Sequence, residues 1–582
     1  MGMHVRRGLS RGVLLCLFAT TSCDSCGSDK DDAGGNGGDG GNVSNADGGS
    51  GVTDSMVGDA TVVAECTVGA QTCANNMATL CRADGTLARY ECDPDQGLTC
   101  TPTGCRGACD LSEVHDSYIG CDYYPTVTLN PVWSGFTFAV AVSNTTNRAS
   151  HVKITRGATV VQEADVPANA LQTFNLPWVT ELKGGDISCT QPPDRGSSRV
   201  VAGGAYRVRT TQPVTVYQFS PLEYQIDPAP AACPTIKSQC AGSQVEQCFS
   251  YSNDASLLLP ATALTGNYTV LSWPSQPDGS GFIAVTATQD GTQVQVFGAG
   301  SFTTGAGVSA SGTGTVALDR GGVLELIAAP TGDVSGTRIR ANKPVQVISG
   351  HSCAYVPSAD APPTTCDHLE EVMFPEDTLG KKYVVTTPLY ADHTTATPYV
   401  LRVAATANDT HVSFDPKVHD DAVLSAGSFL EVALSGSSIA NVLVSSDKAL
   451  LVAEYMVSQK ALPSATGVVG DPSLSTSVAV EQYRKDYLFT APVSYIVNIA
   501  SIIAKRGAQV HVDGRTLAAS EFVAVGSSEY GVANVVLDAL TPVHSVNADQ
   551  DVGLTVYGYG QYTSYMYPGG ADLARITVPI AI

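Results

Sequence analysis

Charge is scarce in this chain of 582 residues, and positive charge most of all. Only 15% of residues are charged, with 32 Lys and Arg against 55 Asp and Glu, for a formal net charge of −23. Such a composition, rich in Gly, Thr, Ser and Val, suits β structure better than helical bundles. The shortage of cations argues against nucleic acid, whose phosphates a partner must neutralise. No later apolar run reaches the ~18 residues that a membrane-spanning helix needs. Also missing are a Gly-x-Ser-x-Gly elbow, a His-Glu-x-x-His helix and a phosphate-binding Gly loop, so no catalytic arrangement stands out. No cofactor or metal is expected.

The N-terminus does carry a short apolar run. Arg6, Arg7 and Arg11 flank or precede Val13 to Thr20, and Thr21-Ser22-Cys23 follow. This reads as an export signal. A Cys directly after small residues resembles a bacterial lipoprotein cleavage site, which makes 1–23 a signal peptide and Cys23 the lipidated residue. The expected location is the cell envelope, at the outer membrane or cell surface, with secretion as the alternative. Residues 24–61 read as a disordered tether, since 27–60 hold eleven Gly and seven Asp against one Lys and little that a core could bury.

Fourteen further cysteines fall into a group of eight from Cys66 to Cys121 and a group of six from Cys189 to Cys366. Even counts in an exported chain favour disulfides. Residues 62–121 are too few to fold on a core alone and read as a stapled, EGF-like module of unknown pairing.

From about residue 111 to 582 the pattern is all-β and repeats about four times. Phe282 to Val296 is an alternating run, a polar turn and a second run, and it recurs from Tyr399 to Phe414 and from Ile496 to Val512. A second hairpin, Tyr206 to Tyr217, returns as Thr337 to Val347 and as Val442 to Ala453. A lead element, Pro260-x3-Leu264-x3-Tyr268, returns as Pro375-x3-Leu379-x3-Tyr383 and, degraded, as Ala479-x3-Tyr483-x3-Tyr487. Spacings of 115 and 104 residues between these lead positions fit tandem β-sandwich units, with a β-propeller as the alternative.

Three segments are also familiar. Ser252 to Pro260, Gln212 to Pro221, and Lys343 to Cys353 followed by Cys366-Asp-His-Leu-Glu-Glu371 resemble the IgGFc-binding protein N-terminal domain family. The resemblance covers roughly 110–570. It implies a non-enzymatic binding or adhesion role toward an extracellular protein or glycan.

His351, Cys353, Cys366 and His368 form the one cluster with ligand-like chemistry. A zinc site is possible in principle, but an exported chain favours a Cys353–Cys366 disulfide closing a Pro-rich display loop. That insertion is the largest departure from the repeat, and His351, Asp367, His368 and Glu370 beside it are the candidate binding residues. Asp367, Glu370 and Glu371 read as a solvated acidic loop, as do Glu376-Asp377 and Asp420-Asp421. A glycosidase using Asp367 or Glu370 and a self-associating envelope protein are the competing functions.

Overall fold

The computed structural model describes residues 66–579, apart from 83–84, 86, 112–116, 189–190, 192, 240–242, 244, 359–365 and 463–468. Cys23, the tether 24–61, Cys189 and Cys240 lie outside the described residues.

The cysteine-rich module is a three-stranded antiparallel sheet, Gln71–Ala74, Met77–Cys81 and Leu87–Glu91, with a small hairpin, Thr99–Thr101 and Gly104–Arg106. Disulfides Cys66–Cys81, Cys73–Cys100 and Cys92–Cys105 staple it. A fourth, Cys109–Cys121, ties it to Gly120–Tyr123, the first strand of the repeat region.

Each repeat is a two-sheet sandwich. In the second unit one sheet orders Asn267–Thr269, Arg338–Ala341, Thr292–Phe297 and Thr313–Leu318. Its partner orders Val323–Ile327, Gly281–Ala287, Val345–Ala354 and Asp367–Val372. The third unit repeats the scheme from Lys382–Val385 to Ser473–Thr476. Tyr383, Val412 and Val444 from one of its sheets share a core with Leu401, Val432 and Val452 from the other. In the first and fourth units one long strand, Arg207–Phe219 or Val543–Gly560, bends to serve both sheets.

The two sheets of a unit have different environments, and the residue pattern explains it. Thr292–Phe297 and Thr410–Asp415 alternate buried and exposed, as strands with one wet face must. Phe138–Asn144, Gly281–Ala287 and Tyr399–Ala405 are buried along their whole length. One face of each packs into its own sandwich. The other faces the common centre, where Val400, Ala404, Ala453 and Tyr455 of the third unit join the main core.

At that centre lie the closing strands of the four units: Ala255–Leu258, Asp367–Val372, Ser473–Thr476 and Thr563–Pro568. Each packs against its two neighbours, and the fourth returns to the first, so the units close into a ring. The ring seam is also held where Tyr118 N donates to the Ala571 carbonyl at 3.2 Å and Tyr217 packs 4.9 Å from Tyr567.

Candidate functional site

The candidate residues converge on the ring axis. Asp367 opens the second unit's closing strand and binds two other units. Its carboxyl accepts from Asn253 N at 2.6 Å in the first unit and from Thr563 Oγ1 at 2.7 Å in the fourth. Asp254 reciprocates, accepting from Glu370 N at 3.0 Å, Ser473 Oγ at 2.8 Å and Leu474 N at 3.2 Å. Glu371 accepts from Ser256 Oγ at 2.5 Å. Glu370 accepts from Thr128 Oγ1 at 2.7 Å and Gln218 Nε2 at 2.9 Å, and lies 3.2 Å from His368 Nε2.

Burial dominates the electrostatics. It holds the carboxyls of Asp254, Asp367 and Glu371 well above the usual carboxylate range, with the charge of Asp471 adding to the effect on Asp367. His351 is pushed down to about 3 by burial, and then by His368 and Arg195. The His368 ring stacks on Phe282 at 5.7 Å.

These positions correct the expectation of a solvated acidic loop and of a binding loop built from His351, Asp367, His368 and Glu370. All four lie in the strands Val345–Ala354 and Asp367–Val372 and are 0% exposed, as is Glu376, and Asp254 is buried too. Glu376 pairs with Arg340 at 2.8 Å; only Asp420 and Asp421 are solvated as expected. The physical reason is that the closing strands meet on the axis, where no water is left to solvate a carboxylate. No sugar can reach Asp367 or Glu370 there, so this cluster does not serve the glycosidase reading. The Cys353 and Cys366 sulfurs are bonded to each other, with Cα atoms 5.1 Å apart, and are not free to ligate zinc.

What reaches solvent is one end of the axis, where the chain crosses from the axial strand, Val345–Ala354 in the second unit, to the closing strand. In the second unit this crossing carries the Cys353–Cys366 bond; residues 359–365 of it lie outside the described residues. The first unit has a comparable insertion closed by Cys233–Cys248, so the second is not the only unit that departs here. The spacing of that cysteine pair after Phe219 was the available signal. Neighbouring crossings touch. Ser458 and Val356 exchange hydrogen bonds at 2.9 and 3.0 Å, Val469 bridges to Gln561, and Phe249 and Tyr251 pack 5.3 and 5.1 Å from Tyr562.

Three crossings pass through a left-handed residue before the closing strand: Tyr251 at φ 54°, Gly470 at 88° and Tyr562 at 60°. Glycine adopts this conformation freely, whereas tyrosine pays a steric cost of roughly 1 kcal/mol. Of the C-terminal tyrosines, Tyr557, Tyr559, Tyr565 and Tyr567 are buried packing residues, while Tyr562 is half-buried at this end.

Comparison with known proteins agrees with this architecture's sequence signature. The family model described as IgGFc binding protein matches residues 254–558, more than half of the chain. The chain belongs to the IgGFc binding protein family. It is 28% identical over 322 residues to a human protein named IgGFc-binding protein. That alignment covers 54% of this chain and 6% of the human one, so the chain spans a small fraction of that relative's length. No solved structure matches. Among the described residues no helix is long and apolar enough to cross a membrane.

Proposed function

We propose that this chain is a cell-surface lipoprotein whose β ring binds an extracellular protein or glycan without catalysing a reaction. Lipid on Cys23 anchors it, residues 24–61 space the folded part from the membrane, and the EGF-like module leads into the ring. The binding surface is the axial end formed by the inter-unit crossings, among them the Phe249, Tyr251 and Tyr562 cluster and the Cys353–Cys366 disulfide. The observation that carries this reading is that the four sandwiches share their sheets and differ in these crossings. Rigid scaffolds place recognition in such loops, and strained tyrosines where glycine would be free point to side chains kept for contact. Family membership supports binding over catalysis, and the human relative's name makes an antibody Fc one partner to test.

The test is an array of extracellular proteins, Fc fragments and glycans probed with the full chain and with Tyr251→Ala/Tyr562→Ala. A ligand captured by the first and lost by the second supports the axial surface; capture that survives unchanged removes it. Replacing Cys23 with Ser should release the protein from membranes, and unchanged partitioning would sink the anchor.

A further inference from the structure

A second surface stands apart from the axial end. A cleft of about 300 Å³ opens between the disulfide module and the second unit. Among the described residues five cations line it, Arg82, Arg89, Arg207, Arg320 and Lys343, against three acids, Glu91, Asp122 and Asp290. This reverses the balance of the chain, in which acids outnumber cations 55 to 32.

Leaving Arg82 aside, the pairings among the described residues leave positive charge over. Arg207 is committed to Asp122 through two bonds of 2.8 Å. Arg320 approaches Glu91 at only 3.8 Å. The Lys343 ammonium donates to the backbone carbonyl of Asp290, not to a carboxylate. Arg89 is exposed and has no ion-pair partner among the described residues. The buried hydroxyl of Thr262, on the wall of the cleft, has no hydrogen-bond partner. A buried polar group without a partner costs about 1–3 kcal/mol unless something satisfies it. Leu98 and Ala88 supply an apolar floor beside the Tyr90 ring.

We propose that this cleft binds an acidic saccharide. The chemistry matches piece by piece. Arg89, Arg320 and Lys343 meet a carboxylate or sulfate, Thr262 takes a ring hydroxyl, and the Tyr90–Leu98 side meets the apolar C–H face of a pyranose. The volume is at the lower end for small-ligand sites. The interspersed Glu91 and Asp290 exclude a nucleic-acid backbone, which needs an unbroken basic track.

Calorimetric titration of the full chain with digalacturonate, a sulfated disaccharide, neutral galactobiose and tetraglutamate tests this. Binding of either acidic sugar with none of galactobiose is the expected result, and their rank separates carboxylate from sulfate. Arg89→Ala and Arg320→Ala, both on exposed side chains, should each weaken it about tenfold, the loss of one charge-assisted contact. Raising salt should weaken it further. Tyr562→Ala at the axial end should leave it unchanged, which separates this site from the one proposed above. The assignment is overturned by absent binding, by equal binding of galactobiose, by tighter binding of tetraglutamate, or by indifference to Arg89→Ala and Arg320→Ala.

Discussion

Tyr268 donates its hydroxyl hydrogen to the Val345 carbonyl at 2.6 Å, joining the lead strand of the second unit to the start of its axial strand. The same bond runs from Tyr123 to Val214, from Tyr383 to Leu450 and from Tyr487 to Val552. The Pro-x3-Leu-x3-Tyr spacing therefore has a mechanical meaning. It places one phenol across the open edge between the two sheets of each sandwich.

Removing one such hydroxyl leaves a buried carbonyl unsatisfied. Tyr268→Phe and Tyr383→Phe should each cost about 1–2 kcal/mol, read as a lower denaturant midpoint with unchanged slope. No shift in either variant would show that the bond carries no net energy.

Arg402 clamps the second and third units. Its guanidinium, 2% exposed, sits 4.4 Å from the Trp273 ring and bonds the Ser272 carbonyl at 2.6 Å, Asp333 at 2.9 Å and Glu431 at 2.6 Å. Arg402→Met should destabilise by about 3 kcal/mol through the lost pairs and cation–π contact. Arg402→Lys should recover little, because an ammonium cannot reproduce the planar fork. Scanning calorimetry of both variants measures this.

Glu325 makes stability depend on pH. Burial pushes its carboxyl up to about 8, only partly offset by Arg199. Between the ordinary carboxyl range and pH 8 the folded chain holds a proton that the unfolded chain releases. Its contribution is therefore whole below about pH 4.5 and lost as pH rises toward 8, at roughly 1.4 kcal/mol per pH unit. Asp254, Asp367 and Glu371 are shifted in the same direction. Unfolding followed from pH 5 to 8 should show stability falling with pH, and Glu325→Gln should flatten the slope.

The Cys353–Cys366 bond spans a sequence separation of 13 residues. Replacing both cysteines with Ala should cost about 2–3 kcal/mol by chain entropy, visible as a lower midpoint in urea under oxidising conditions. The difference between the two should vanish when both are measured under reducing conditions, since the other disulfides then open in both.

Period-2 alternation made the strands legible but not their pairing, because the two strands of each expected hairpin fall in opposite sheets of the sandwich instead of pairing with each other. The run Phe282 to Val296 became Gly281–Ala287 and Thr292–Phe297, and Tyr399 to Phe414 became Tyr399–Ala405 and Thr410–Asp415. Closure of the ring was not legible, because it depends on contacts such as Asp254 to Ser473 that join residues 219 apart. The same distance hid the site. Asp367, Glu370 and Glu371 look like surface residues by type, since carboxylates are rarely buried without partners. Their partners, Asn253, Thr128, Gln218 and Ser256, are supplied by another unit. Sequence proximity thus grouped the residues around Cys353 and Cys366 and gave them the wrong surroundings.

A closed circle has no terminal repeat to shed. In an open stack, deleting the last unit removes one interface and leaves the rest folded. Here, excising any sandwich would break two seams and bring the buried carboxyls of the hub into water, removing the burial that raises their pKa values. The matched segment 254–558 starts one residue before the first unit's last strand, Ala255–Leu258, and stops before Thr563. Expressed alone it would keep the first unit's closing strand and lose both the fourth unit's closing strand and the rest of the first sandwich. The smallest part of this region expected to fold is therefore the whole circle.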